Sequence, residues 1–386
     1  MHKNLVFTMN TFGQNWTFTS FGESHGAAIG GVLDGVPAGL TIDLDLIRSE
    51  LDRRAGRTVT HLSGASPRAK HEPDEVEWLS GVITNDLTVS PSNGETLDGR
   101  GTNNLTVSPS NGETLDGRGT NNQSPITNAH LVTLGTPIAF LIRNRDARPE
   151  DYEWLKSSFR VGHADRTYQQ KYGIRDWRGG GRASARETAA RVVAGCIARQ
   201  SLAARGITIR AELVQVGAET DPAKFIETIT RYQHEGDSIG GIITCTVSGL
   251  PVGTGEPIFH KLQAELAFAI MSINACKGFE YGTGFGGVTQ PGSAINAISG
   301  GIAGGISDGT DLFFRCVFKP TPSTKKAMES IANHLTVSPS NGETLDGRGT
   351  NNQSLIGRHD ACVAVRAVPV VEAMTALCLA DLLAVR

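Results

Sequence analysis

The chain has 386 residues, 39% hydrophobic and 19% charged, which is a globular rather than a disordered composition. Its 36 basic and 39 acidic residues leave a formal net charge of −3, and 6% of residues are aromatic; this excludes a global field for nucleic acid and a base-stacking platform, so any anion site must be local. The six cysteines contain no CxxC pair, which excludes the common zinc and thioredoxin spacings and predicts buried, reduced thiols.

Apolar runs at Ile29–Asp34 and Leu40–Ile42, separated by Gly and Pro, predict short strands. Asp45–Arg54 has helical spacing, with Leu46, Ile47 and Leu51 on one side and a basic end at Arg53-Arg54. Thr136–Arg143 reads as a short buried strand. Ala185–Ala204 gives the best helix signal in the chain, alanine-rich with Glu187 in its first turn and Gly206 as its stop. Ile239–Val247 and Leu312–Val317 predict further strands, and Lys261–Ile273 an amphipathic helix. The run Ser299–Ser307 is too glycine-rich for a regular element. Pro369 is expected to open a last helix, Val370–Leu383, with Glu372 near its positive end. Strands interspersed with long helices indicate an α+β or layered β-α-β arrangement, and no composition shift marks a boundary, so one domain spanning 1–386 is expected. The N-terminal Met1–Thr8 has neither the apolar run of a signal peptide nor the arginines of a transit peptide. No apolar stretch reaches the roughly 18 residues of a membrane span. A cytoplasmic setting without membrane contact is therefore expected.

Three copies of one eighteen-residue segment interrupt this pattern, at Leu87–Asn104, Leu105–Asn122 and Leu335–Asn352. Solenoid repeats diverge and bury a shared apolar face, whereas these are identical and polar. Their Ser-Asn-Gly and Asp-Gly turn signals predict polar hairpins or mobile loops, inserted at 87–124 and 335–354 where length is tolerated.

The stretch richest in chemistry is Gly173–Thr188. Glycines 179 to 181 remove Cβ atoms from a ligand's path, and Arg175, Arg178, Arg182 and Arg186 flank them just before a helix. Guanidinium forks, free amides and a helix N-terminus favour an anionic ligand, most simply a phosphate. His25 stands among small residues in Phe21–Gly26, where the backbone can turn and expose the ring for proton donation. His163 follows Arg160 and precedes Asp165, and Asp360 closes Gly357–Asp360, where a carboxylate serves as base or orienter. A hydrolytic triad can be assembled from Ser24, His163 and Asp360, but Gly-x-Ser-x-Gly is absent. There is no P-loop, and Gly282–Gly287 does not match a dinucleotide fingerprint in the context that motif requires.

Together these segments resemble the chorismate synthase family. The match is carried by Gly22–Gly26 through Pro37, by Gly173–Gly195, and by Arg358–Val363 through Leu383; Thr133–Arg145, Gly236–Gly241, Met271–Phe285 and Lys319–Ser323 also fit. The resemblance implies the family's β-α-β sandwich, a homotetramer, and a phosphate elimination from 5-enolpyruvylshikimate 3-phosphate that requires reduced FMN. By motif, it implies His25 as proton donor to the departing phosphate, His163 as the residue that protonates or holds the flavin, and Asp360 in the relay that removes the substrate proton. It implies a substrate clamp of Ser24, Arg54, Arg160, Arg186 and Arg358, and flavin contacts from Arg182, Ala183, Ser184, Asn274, Ala275, Gly304, Lys319, Pro320, Thr321, Pro322, Ser323 and Arg358. The alternative is a flavin-binding protein of the same fold that has lost turnover. It is motivated by Arg53–Arg57, where the family has Arg-Arg-Arg-Pro-Gly, and by a short Val288–Ile298 segment. Some members of the family also reduce their flavin with NAD(P)H, including NADP; no feature here marks a nicotinamide site.

Overall fold

The computed structural model describes residues 10–57, 73–84, 130–160, 162–294, 299–322, 324–326 and 360–384. The three repeat copies, Ser323 and Arg358 lie outside the described residues. Helices and antiparallel sheets are mixed along the chain, as in an α+β protein.

One sheet has five strands: β1 (Thr11–Phe12), β2 (Thr17–Phe21), β3 (Ala28–Asp34), β5 (Val76–Trp78) and β8 (Ile138–Arg143), in the order β1-β2-β3-β8-β5. A second has four: β9 (Thr208–Val216), β10 (Gly241–Ser248), β11 (Cys276–Tyr281) and β14 (Leu312–Phe318), in the order β11-β14-β10-β9. Small sheets join β4 (Thr41–Ile42), β7 (Leu131–Thr133) and β6 (Val82–Thr84), and β12 (Ile302–Ala303) with β13 (Ile306–Ser307). Period-two patterning sets which face is buried. In β8 the buried residues are Ile138, Phe140 and Ile142; in β14 they are Leu312, Phe314, Cys316 and Phe318.

Helix α1 (Leu44–Ala55) begins where Asp43 accepts from the Asp45 and Leu46 amides and ends where Gly56 turns left-handed at φ 75°. The other α-helices are α2 (Asp165–Tyr172), α3 (Thr188–Ala203), α4 (Phe225–His234), α5 (Leu262–Met271) and α6 (Ala364–Leu383). Helix α3 touches β2 and β3 of the first sheet and β9 of the second, while α6 packs on β9, β10 and α3. Seventeen of the twenty residues of α6 are buried, so it has no solvent face to distinguish from an apolar one. The two helices meet at Gly195, where a Cβ would lie 2.4 Å from Ala373 Cα.

Three expectations need correction. The last helix begins at Ala364, so Pro369 lies inside it rather than opening it. Glu372 is therefore mid-helix and buried, and its charge is matched by Arg53 and Arg199 instead of by the helix dipole. The glycine-rich run before Asp308 does form a regular element, the β12–β13 hairpin, which turns at Gly304-Gly305. Helix α3 starts three residues later than its alanine content suggests, because Ala185–Glu187 adopts a tighter 3₁₀ turn capped by the Ser184 hydroxyl. The six cysteines are buried and free.

Candidate active site

A cleft of about 750 Å³ opens where the β2–β3 turn, the C-terminal end of α1, the 179–186 loop and the start of α6 converge. Four predicted groups come from the first sheet and its flanks: Ser24 and His25 in the β2–β3 turn, Arg54 on α1 and Arg186 before α3. Arg160 and His163 approach from the segment preceding α2, Asn274 and Ala275 from the α5–β11 turn, Lys319 to Thr321 and Pro322 from the end of β14, and Asp360 from the start of α6. Ala183 and Ser184 complete the set.

The three glycines act first on side chains. Gly179, Gly180 and Gly181 all have positive φ, at 59°, 87° and 52°. A Cβ on Gly179 would lie 2.1 Å from the His25 ring, and one on Gly180 2.8 Å from the Arg160 guanidinium. Their backbone thus makes room for two cleft residues. The His25 ring is buried against Gly179 and meets Tyr152 edge-on at a centroid distance of 4.7 Å. Asn144 holds the same turn by donating to Glu23 O and Gly26 O, each at 3.0 Å, and accepts from Arg186 Nε at 3.0 Å.

Of the four arginines expected to bind an anion around that loop, only Arg186 lines the cleft. Arg175 donates to Leu155 O and Ser158 O, Arg178 pairs with Asp176, and Arg182 donates to Ser20 and Gly22. Arg182 instead borders a neighbouring cavity of about 260 Å³, and Gly304 is not part of the cleft wall either. The remaining cations come from distant segments that spacing did not connect: Arg145, Arg148 and Arg366. Among the described residues and histidines aside, seven cationic side chains line the cleft against three carboxylates, Asp74, Asp146 and Asp360.

Asp74 was not anticipated, and nothing local in its sequence marks it. It sits between Arg54, at 3.4 Å, and Arg186, all three side chains being almost fully buried. Burial alone would raise the Asp74 carboxyl, but the Arg186 and Arg54 guanidiniums hold it below the usual carboxylate range. Arg54 is pushed the other way, down to about 9, first by burial and then by the nearby Arg366 charge, which Asp74 only partly offsets. Arg160 forms a forked pair with Asp165, at 2.8 and 2.9 Å. Burial would raise Asp165, and these bonds from Arg160 outweigh it. Asp360 accepts from Arg366 Nη1 at 2.6 Å.

Two features fit a bound ring system. Asn274 donates through Nδ2 to Ala183 O at 3.1 Å, while its buried Oδ1 has no partner among the described residues. Ala275 next to it holds a left-handed backbone at φ 67°, a strained conformation for a residue with a Cβ. Small apolar residues, Ala183, Ala275, Pro320 and Pro322, line the same cleft. Among the described residues, no cluster of His, Cys, Asp or Glu could hold a metal ion, and no helix is long and apolar enough to cross a membrane.

Fold and cleft together define a protein with a cation-lined cleft of small-molecule size between a glycine-shaped loop and the ends of two helices. A family model for chorismate synthase matches residues 16–93 and 122–384. The interval between the two matched parts falls within the tandem repeat copies. The chorismate synthase of Methylobacillus flagellatus is 41% identical over 403 residues, covering 96% of this chain and 94% of its own length. That of Porphyromonas gingivalis is 40% identical over 414 residues, covering 97% and 95%. A crystal structure of a chorismate synthase shares the fold, with a TM-score of 0.61 at 24% identity over 96% of this chain and 92% of that one. The chain belongs to the chorismate synthase family.

Proposed function

We propose that the chain converts 5-enolpyruvylshikimate 3-phosphate into chorismate by a 1,4-anti elimination of phosphate with no net redox change. The observation that carries this reading is the local surplus of positive charge among the described residues, in a chain of net charge −3. Seven cations line the cleft, and they outnumber the carboxylates even when Asp165 and Glu75, the partners of Arg160 and Arg145, are added to the three in its wall. The substrate brings one phosphate and two carboxylates, and guanidinium groups match both bidentately. Fixed cations around a departing phosphate stabilise the charge that develops on it, without reorganisation during the reaction.

In this reading Arg54, Arg160, Arg186 and Ser24 hold the substrate's anionic groups, joined by Arg358. His25, fixed between Gly179 and Tyr152, gives a proton to an oxygen of the departing phosphate. Asp360 belongs to the relay that takes the proton released from carbon, and His163 holds a proton on the flavin side of the cleft. The Asn274–Ala275 turn, Ala183, Ser184 and Lys319–Pro322, with Ser323 assigned by motif, fit reduced FMN, because a buried acceptor without a partner among the described residues, in a cleft also lined by small apolar residues, suits a flat ring with an N–H on its edge. Bound there, reduced FMN supplies the electron-rich partner that C–O cleavage needs. The same reading takes the fold as a layered β-α-β sandwich forming a single domain, assembled as a homotetramer and working in the cytoplasm.

The test is anaerobic turnover with chemically reduced FMN, following chorismate absorbance and free phosphate together. Equal appearance of both is expected, and His25→Ala should abolish it while sparing FMN affinity. Retained FMN binding with neither product from the unaltered chain would instead establish the flavin-binding protein without turnover.

A further inference from the structure

Arg366 is the third residue of α6. The first turn of a helix carries the positive end of its dipole, where a cation is disfavoured. Its surroundings add to the conflict, since its charge helps to lower the neighbouring Arg54 guanidinium. A residue that breaks a local rule in this way needs a compensating role.

The side chain is held by both arms of its fork. Nη1 donates to Asp360 Oδ2 at 2.6 Å, and Nε donates to the Arg54 backbone oxygen at 2.8 Å. The Arg366–Asp360 pair is sheltered, with side chains 14% and 11% exposed. One guanidinium therefore ties a cleft carboxylate to the last turn of α1, at the same residue whose own guanidinium meets Asp74. Asp360 is also fixed through its backbone oxygen, which accepts from the Thr321 hydroxyl at 3.1 Å. Arg366 pairs with its carboxylate, and Arg54 and the Cys362 thiol lie within electrostatic reach of it.

We infer that Arg366 is a positioning residue for the elimination: anchored on the end of α1 through the Arg54 backbone oxygen, it aims the Asp360 carboxylate at the substrate. This rests on the proposed role of Asp360 in the proton relay. A mere staple between α1 and α6 would change stability and leave turnover by the folded enzyme unaltered.

The experiment compares Arg366→Met, Arg366→Lys, Asp360→Asn and the double variant Asp360→Asn with Arg366→Met, using the full chain with reduced FMN. Arg366→Met is expected to lower kcat about 100-fold, the scale of a misaimed reacting group, with KM within about threefold and FMN affinity unchanged. Arg366→Lys should recover about a tenth of the wild-type rate, since an ammonium lacks the planar fork that makes both bonds. The double variant should be no slower than Asp360→Asn alone, because Arg366 acts through Asp360. Wild-type kcat in Arg366→Met, or losses that multiply in the double variant, would overturn the inference. Should Arg366→Met fail to fold, Arg366→Lys at full rate would overturn it equally. A wild-type rate in Asp360→Asn alone would remove Asp360 from the relay, a separate failure that belongs to the proposed function.

Discussion

Arg53 and Arg54 are adjacent at the end of α1 and enter two clusters built from the same residue types. Arg53 joins a closed ring, in which it and Arg199 each bridge Glu50 and Glu372 at 2.6 to 3.2 Å. Glu372 uses its other oxygen to accept from the Ala211 amide of β9 at 2.8 Å, so the ring fastens α1, α3, α6 and the second sheet together. Arg54 enters the cleft, where it, Arg186 and Arg366 share Asp74 and Asp360. Burial opposes the charge of both arginines. For Arg53 the two glutamates outweigh it and the guanidinium is raised; for Arg54 the neighbouring arginines add to it and the group falls to about 9. Two cations against two anions make a fastening. Three against two leave these five side chains net positive, which favours an incoming anion.

This contrast can be broken by mutation. The largest effect is expected from Glu372→Ala, which leaves Arg53 and Arg199 underpartnered in the interior and should lower unfolding free energy by about 3–5 kcal/mol in a urea titration. A loss no greater than that of an exposed pair would show that the ring does not hold the layers. Next comes Gly179→Ala, whose Cβ would lie 2.1 Å from the His25 ring at a φ of 59°. We expect kcat to fall about 100-fold or more, the share a positioned acid contributes; an unchanged rate would separate His25 from the chemistry.

A smaller effect, of opposite sign for binding, should come from Asp74→Asn. Removing the carboxylate between Arg54 and Arg186 widens the cationic surplus, so inorganic phosphate should bind tighter by about 3–10-fold, the scale of one partly screened charge. Calorimetric titration would read it, and weaker binding would mean that Asp74 chiefly orients its arginines. The smallest effect concerns pH. Asp74 and Asp165 are held below the ordinary carboxylate range when folded, so their contribution is complete above the unfolded value, about 3.9, and is lost as pH falls through the lower folded values. Unfolding free energy should therefore decline below about pH 4, and Asp74→Asn should make that decline shallower.

Much of the fold is legible along the chain. Asp43 and Gly56 bound α1 because caps act through their own backbone and the next few amides. The period-two burial of β8 and β14 follows from apolar spacing. Legibility fails where a local signal is overruled from afar. Pro369 looks like a helix start, but the packing of α6 against α3 and the second sheet carries the helix back to Ala364. The β12–β13 hairpin was hidden because glycine content argues against a strand, while Leu262 donates to Gly305 and pins the turn from another element.

The cleft divides in the same way. His25, His163, Asp360 and the 179–186 loop stand out by residue type and by motif, since histidines among glycines and arginines beside them are chemically conspicuous wherever they occur. Asp74, Asn144 and Arg366 do not, because nothing in their immediate neighbours foretells which charge they will meet. What the sequence by itself determined was the set of helices and strands, the blocks that carry the family resemblance, and the need for a local rather than global anion site. The tertiary structure alone decided which arginines serve that site. Arg175, Arg178 and Arg182 sit beside the glycines in sequence yet are committed to backbone oxygens, Ser20 and Asp176, whereas Arg366 arrives from the far end of the chain. Secondary structure depends on neighbours within a few positions, but the partner of a buried charge is chosen by packing. Arg53 and Glu372, 319 residues apart, become a pair only because α1 and α6 pack together in the tertiary structure.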